Sequence, residues 1–334
     1  MTASVKDVAA VAGVSSSTVS NYLNHPHMLG EATRKRVRAA IEQLRFVPNE
    51  SARQLRAGSS KALALILLDA WLPYFNELSR GVEEVTREGG WSLFFSNSNR
   101  DGEQELRNIE MFEKHRAQGI IISPLGDVTP RLEQLADRGI RSVTVGPAHD
   151  STKVASVLFD DRGGARLAGA HLVGLGRRRI AFIGDPQSVV QVAERLAGLQ
   201  DAVADSGAQV WVIPTKGLSI ADGLSAAETV LARPVEERPD AVFAGNDMVA
   251  IGVLTQLLRH GVSVPEHIAL VGFDDVEQAS QTVVPLTSVR QPGYELGRAA
   301  GALLLQQLAD PTAPLPATQE FPATLVVRES TVRA

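Results

Sequence analysis

Apolar residues recur along this chain with two different periods. Over residues 4–44 the period is helical: Val5, Val8, Ala9 and Ala12 form one stripe, Val19 and Leu23 a second, and Val37, Ile41 and Leu44 a third. Ser4 is placed to cap the first run with Asp7 as its reciprocal partner, and Ser15 is placed to cap the second. Between them Gly13 tolerates the positive φ of a tight turn. The pattern predicts two helices joined at that turn and a third, Glu31 to Leu44, that closes a small core. Ser16, Ser17, Ser20 and Asn21 are left on outward faces of the second helix, and Arg34, Lys35, Arg36 and Arg38 on the solvated side of the third. Spacing alone leaves two readings open: a small helical bundle with a solvated polar helix, or a helix-turn-helix whose second helix enters the major groove of DNA.

From Lys61 onward, short apolar runs alternate with amphipathic stretches. "ALALILLDA", "WSLFFSN", "GIIISP", "RSVTVG", "ASVLFD", "RIAFIGD", "QVWVIP", "AVFAGND" and "IALVGFDD" read as strands. "FNELSRGVEEVTREGG", "EQELRNIEMFEKH", "GGARLAGAHLVGLG", "VAERLAGLQDAVADSG" and "MVAIGVLTQLLRHG" read as helices between them. Repeated β-α-β order predicts an α/β core of doubly wound parallel sheets, and the series is long enough for two lobes. A β-to-β step without a helix, between Val145 and Ala155, marks the expected boundary between them. Joining the two regions, "NESARQLRAGSSKA" sets Ala52 and Leu55 three apart before Gly58, Ser59 and Ser60. It reads as a linker with helical potential that orders when docked on a partner.

Charge tilts the choice at the N-terminus. Residues 1–58 hold eight Lys or Arg against four Asp or Glu, a net of +4, while the whole chain of 334 residues carries −5, leaving −9 for the remainder. A basic head on an acidic body suits a phosphate-binding module joined to a domain with another task. A hydrophobic content of 44% is that of a globular chain with a large core. With no cysteine, disulfides, thiol catalysis and cysteine-ligated zinc are excluded, and the seven scattered histidines form no HExxH-type pair, so no metal or cofactor is expected. The opening residues lack an apolar signal core, and no uninterrupted apolar stretch is long enough to span a bilayer, so a cytoplasmic protein without a membrane partner is expected.

In open parallel sheets ligands bind beyond the carboxyl ends of the strands. Asp69, Asn246 with Asp247, and Asp274 with Asp275 each follow an apolar run directly, and Trp71, Tyr74 and Phe75 follow the first. Carboxylates and amides with aromatic walls suit a small polar ligand. A helix cap is the alternative for each, since Asp and Asn are common at strand-to-helix turns, and Asp247 and Asp275 fit a cap as well as a ligand contact.

These segments together resemble the lactose/galactose repressor family of bacterial transcription regulators over nearly the whole chain. "VKDVAAVAGVSSSTVSNYLN" is similar to the family's DNA-binding helices and "TRKRVRAAIEQLRFVPNESARQLR" to its third helix and hinge. "NELSRGVEE", "RLAG", "AGNDMVAIG", "VPEHIALVGFDD" and "PLTSVRQPGYELGRAA" resemble successive segments of its ligand-binding core. The resemblance implies an all-α helix-turn-helix domain over residues 1–47, a hinge helix and linker over 48–60, and a periplasmic-binding-protein-like core over 61–334. Within that core, one lobe is expected at about 61–160 plus 290–321, the other at about 161–289 plus 322–331, joined by three crossovers.

The same resemblance assigns roles. Ser16, Ser17 and Asn21 fall on base-reading positions, where many members carry Arg or Gln; serine reads bases degenerately. Ser4, Ser15, Thr18, Asn24, Thr33 and Asn49 match cap and phosphate positions, Ala52 lies in the hinge, and Leu55 matches the leucine wedged into the central minor groove. Trp71, Tyr74, Phe75, Asp160, Arg195, Leu218, Asn246 and Asp274 fall on or beside effector contacts. Gly146 and Pro147 replace charged contacts, Leu218 replaces an aromatic platform, and Trp71 stands where a small residue is usual and can supply a stacking face. The expected molecule is a repressor that binds a pseudo-palindromic operator as a homodimer under control of a small-molecule effector, a sugar first. Without a leucine heptad tail the expectation is a dimer and not a tetramer. The competing reading is a non-exported sugar-binding protein or carbohydrate-active enzyme with the same core. Against catalysis, adjacent Asp274 and Asp275 do not place two carboxylates on either side of a scissile bond.

Overall fold

The computed structural model describes residues 3–46, 61–315 and 318–332. The chain divides into two compact units, residues 1–60 and 61–334. Asn49, Ala52 and Leu55 lie outside the described residues.

The first unit contains α1 (Val5–Ala12), α2 (Ser16–Asn24) and α3 (Glu31–Leu44). Both halves of the capping box form: the Asp7 amide donates to Ser4 Oγ at 3.3 Å and the Ser4 amide donates to Asp7 Oδ2 at 2.8 Å. The shorter Asp therefore suffices where Glu or Gln is usual. Gly13 closes α1 at φ +60°, where a side chain would be strained, and Ser15 caps α2 through the Thr18 amide. Val8, Ala9, Ala12, Val19, Val37, Ala40 and Phe46 form the buried core, with Leu23, Ile41 and Leu44 packed partly buried against it.

The second unit runs β1 (Ala62–Leu67), α4 (Pro73–Glu88), β2 (Ser92–Asn97), α5 (Gly102–Lys114), β3 (Gly119–Ile122), α6 (Thr129–Asp137), β4 (Arg141–Val145) and β5 (Ala155–Phe159). It continues through α7 (Asp161–Gly174), β6 (Arg179–Gly184), α8 (Val190–Val203), β7 (Gln209–Pro214), α9 (Ile220–Leu231), β8 (Ala241–Ala244), α10 (Asp247–Arg259), β9 (Ala269–Asp274), α11 (Glu277–Ser280) and β10 (Thr287–Arg290). It ends with α12 (Gly293–Ala309), β11 (Gln319–Phe321) and β12 (Thr324–Val326). The strands form two sheets of six with matching order, β2-β1-β3-β4-β5-β11 and β7-β6-β8-β9-β10-β12. The pairings are parallel except that of β12 with β10. Strand β1 shows why both faces are covered: Leu63, Leu65 and Leu67 enter one apolar core, Ala64 and Ile66 another.

The helix-free step from β4 to β5 stays inside the first sheet, so the boundary expected between Val145 and Ala155 is displaced. Ala155 pairs with Val143, two residues before the end of β4, so the chain retreats only about two residues, roughly 7 Å, and needs no helix to do so. The chain passes between sheets at Asp160, at Gln291–Pro292 and at Pro322–Ala323, next to strands that lie together at one edge of each sheet. α12 returns to the first lobe and packs on α4 with close backbones: a methyl on Gly81 or Gly297 would stand 2.1 Å from the carbonyl oxygen of Tyr294 or Leu78.

Candidate functional site

The carboxyl ends of both sheets face a cleft lined from both lobes. The first lobe contributes Leu68, Leu72, Tyr74, Phe75, Ser123, Gly146 and Phe159; the second contributes Asp161, Val189, Gln191, Arg195, Leu218, Asn246 and Asp274, and Gln291 comes from the second crossover. Tyr74 and Phe75 meet edge to face, 5.0 Å between centroids, and burial pushes the Tyr74 phenol up so that it stays a neutral hydrogen-bonding group. Asn246 caps α10 through the Val249 amide at 2.9 Å and gives its own amide N–H to the Leu218 carbonyl at 3.0 Å. Cap and cleft wall are thus one residue.

Arg195 organises the floor. Its Nε donates to Asp161 Oδ1 at 2.8 Å, its Nη1 to the Gly245 carbonyl at 2.6 Å and its Nη2 to Gln291 Oε1 at 3.1 Å. Asp274 Oδ1 lies 3.5 Å from Nη1, and the guanidinium sits 3.7 Å over the Phe273 ring. Burial raises the Asp274 carboxyl to about 7 against the pull of Arg195, and Asp161 is likewise raised by burial. The cationic side chain is therefore neutralised by partners before a ligand arrives.

The turn after β9 is strained: Asp274 and Asp275 have φ of 104° and 55°. Asp275 is clamped by Arg290 at 2.7 Å and Arg328 at 2.6 Å. Behind it the fully buried Asp247, whose carboxyl is raised well above its usual range by burial, accepts from Ser288 Oγ at 2.7 Å and from the Val276 amide at 2.9 Å. The strain holds the Asp274 carboxylate in the cleft beside Arg195.

Six of the eight residues anticipated for this site line the cleft: Tyr74, Phe75, Arg195, Leu218, Asn246 and Asp274. Asp160 does not. Its Oδ1 turns back to accept the Gly163 amide at 2.7 Å as the cap of α7, and its neighbour Asp161 faces Arg195 instead. Trp71 also does not, being 81% exposed; its amide donates to Asp69 Oδ1, and the turn presents buried Leu72 to the cleft. Ser123, Gln191 and Gln291 were not anticipated. Gln191 Oε1 is buried with no partner among the described residues, which leaves a hydrogen-bond acceptor at the cleft wall.

In the N-terminal unit Ser16, Ser17 and Asn21 are exposed on α2, while Val19 is buried. Ser17 Oγ lies 2.7 Å from Ser15 Oγ, and Thr18 Oγ1 lies 2.8 Å from it, so the start of the helix carries a hydroxyl cluster. Ser4 is exposed at its cap, Thr33 is half-buried in the first turn of α3, and Asn24 ends α2. The exposed face of α2 is therefore built from short polar side chains.

Residues 4–49 match the family model for bacterial regulatory proteins of the lacI family, and residues 170–331 match the periplasmic binding protein-like domain. The ribose operon repressor of Bacillus subtilis (strain 168) is 34% identical over 321 residues, 95% of this chain and 96% of that protein. The HTH-type transcriptional repressor PurR of Aliivibrio fischeri (strain MJ11) is 30% identical over 315 residues, 92% of each. Among solved structures, the lac repressor dimer bound to operator and the anti-inducer ONPF is 28% identical with a TM-score of 0.84, covering 99% of this chain and 100% of that one.

Proposed function

The chain belongs to the lacI family of bacterial regulatory proteins, and we propose that it is a sequence-specific transcriptional repressor that binds a pseudo-palindromic operator as a homodimer under control of a small neutral polyol, a sugar first. The observation that carries this reading is the union, in one chain related along 95% of its length to a repressor, of an exposed polar helix in a three-helix unit with a cleft between two sheets.

The cleft favours a neutral ligand. Arg195 is the cation among the lining residues, and it already meets Asp161 through Nε and Asp274 3.5 Å from Nη1, so an anion would have to compete with two carboxyl groups for it. Hydroxyls, by contrast, can exchange with Gln291 and meet Gln191, Ser123 and Asn246, with Tyr74, Phe75 and Phe159 as apolar walls. Of the two carboxylates that line the cleft, Asp161 accepts from Arg195 Nε and Asp274 pairs with its Nη1, and no enzymatic step is assigned. Asn49, Ala52 and Leu55 are assigned to the DNA-facing hinge with Leu55 as the minor-groove wedge, and Ser16, Ser17 and Asn21 to base reading. For the homodimer, β2 is a sheet edge with Phe94 and Phe95 55% and 68% exposed, a surface that a second copy can cover about a two-fold axis.

The test is selection of the purified protein from a random duplex pool, alone and with ribose and a panel of neutral sugars. Enrichment of a two-fold symmetric sequence that responds to one sugar is expected. Failure to enrich any sequence under every condition would overturn the assignment.

A further inference from the structure

We propose that Arg100 is a latch between the two lobes, placed at the mouth of the cleft opposite the crossovers, and that it holds the cleft closed before any ligand binds. Arg100 follows β2 in the first lobe, yet its Nη1 donates to the Lys216 carbonyl, which follows β7 in the second lobe, at 3.2 Å. Its guanidinium also lies between two carboxylates at matching places in the two sheets. Asp69 after β1 is 3.3 Å from Nε, and Asp185 after β6 is 4.0 Å from Nη1.

Each carboxylate is held by its own lobe. Asp69 Oδ1 accepts the Trp71 amide at 3.2 Å and Asp185 Oδ1 accepts the Ser188 amide at 3.2 Å, which leaves Oδ2 of each aimed at Arg100. Both side chains are 10% exposed and that of Arg100 is 24% exposed, so these charges are partly withdrawn from water. Without the arginine, closure would press two carboxylates together. Gly217 makes room, since a methyl there would stand 2.9 Å from Arg100 Nη2.

The backbone is set for this reach. Asn99 and Arg100 both adopt left-handed φ, 52° and 57°, a conformation that costs side-chain-bearing residues energy. The turn is fixed by the Arg100 amide donating to the Leu68 carbonyl at 3.0 Å and by Asn97 Oδ1 accepting the amides of Ala70 and Asn99. Position increases the effect: the crossovers adjoin β5, β10, β11 and β12, whereas Arg100 and Lys216 follow the edge strands β2 and β7 at the other side of the sheets. A bond there acts on the longest lever arm of a hinge opening. This inference uses the geometry of the core alone and does not depend on what the N-terminal unit binds.

The experiment is an inter-lobe distance measurement by pulsed electron resonance on the full chain without ligand. The sequence has no cysteine, so Glu110→Cys on α5 and Thr229→Cys on α9, both exposed, take spin labels cleanly. Dilution with unlabelled protein isolates pairs within one chain. Arg100→Ala, or Arg100→Gln if the alanine variant does not fold, should raise the ratio of open to closed distances about tenfold. Asp185→Asn keeps an oxygen for the Ser188 amide and should open the cleft when Arg100 is present. In the Arg100 variant it should instead favour closure, because it removes the facing charge. Unchanged distances on loss of Arg100, or the same direction of change for Asp185→Asn in both backgrounds, would overturn the latch.

Discussion

Glu105 offers the sharpest quantitative test of the core. It sits in the first turn of α5, 2% exposed, and its Oε2 accepts the Leu125 amide at 2.9 Å, two residues beyond Ser123 at the cleft wall. Burial raises its carboxyl to about 7 from the ordinary 4.5, with the single backbone hydrogen bond pulling the other way. A group whose folded value lies above its unfolded value binds more protons in the folded state, so its stabilising contribution is complete below pH 4.5 and is lost as pH rises through 7. Between pH 5.5 and pH 8 that loss integrates to about 2 kcal/mol. Glu105→Gln keeps an oxygen for the Leu125 amide and abolishes the titration. Urea denaturation of both proteins at the two pH values should show the wild type losing about 2 kcal/mol more than the variant across the interval. Asp161, Asp247 and Asp274 titrate in both proteins, so the difference isolates Glu105. Parallel stability–pH curves would refute the reasoning.

Arg195→Ala leaves the buried carboxylates of Asp161 and Asp274 and the Gly245 carbonyl without their donor, a loss of about 3–5 kcal/mol. Because burial raises both carboxyls, Asp274 to about 7, protons can replace the guanidinium, and the loss should be smaller at pH 5.5 than at pH 8 in the same urea assay; equal losses would contradict it. The variant should also fail to release or capture operator in response to the sugar that acts on the wild type. Phe95→Glu on the exposed edge of β2 should convert dimer to monomer in sedimentation equilibrium, and an unchanged dimer would place the interface elsewhere. Leu55→Ala should weaken specific operator binding while calorimetric affinity for the sugar stays the same; equal operator affinity in both proteins would remove the wedge.

Strands and strand ends were legible because buried parallel strands are continuous apolar runs and whatever follows them faces the cleft. That logic points to Asn246 and Asp274, both of which line the cleft. The family resemblance points to Asp160 where the cleft holds its neighbour Asp161, because the sequence shows that carboxylates follow the strand but not which of the two becomes the cap. The Gly163 amide takes Asp160, and the helical turn then swings Asp161 toward Arg195. Trp71 failed differently: an aromatic near a strand end suggested a wall, but the Asp69 turn sends it into solvent. Gln291 went unnoticed because it follows β10, four residues bounded by Pro285 and Pro292 whose pairing with β9 and β12 is settled by tertiary contacts and not by periodicity. Arg100 was invisible for the same reason, since its partners Asp185 and Lys216 lie far along the chain.

The contacts of Arg195 suggest how a ligand can be felt beyond its own cleft. Asp161 adjoins the first crossover, Gln291 forms part of the second, and Asp274 ends the strand beside the second; all three meet one guanidinium. A polyol that inserts a hydroxyl between Arg195 and Gln291 therefore exchanges a bond that belongs to the hinge itself. Such a ligand changes DNA affinity only by the difference in its own affinity for the two lobe arrangements, about 1.4 kcal/mol for each tenfold shift. One charge-assisted hydrogen bond made in one arrangement and absent in the other, at about 1.5–3 kcal/mol, supplies roughly one to two decades. A near-complete switch, which needs about 10⁴-fold, requires more than Gln291. A latch at the opposite edge of the sheets sets the resting ratio of open to closed lobes on which that difference acts, and leaves the ligand's own preference between the two arrangements unchanged.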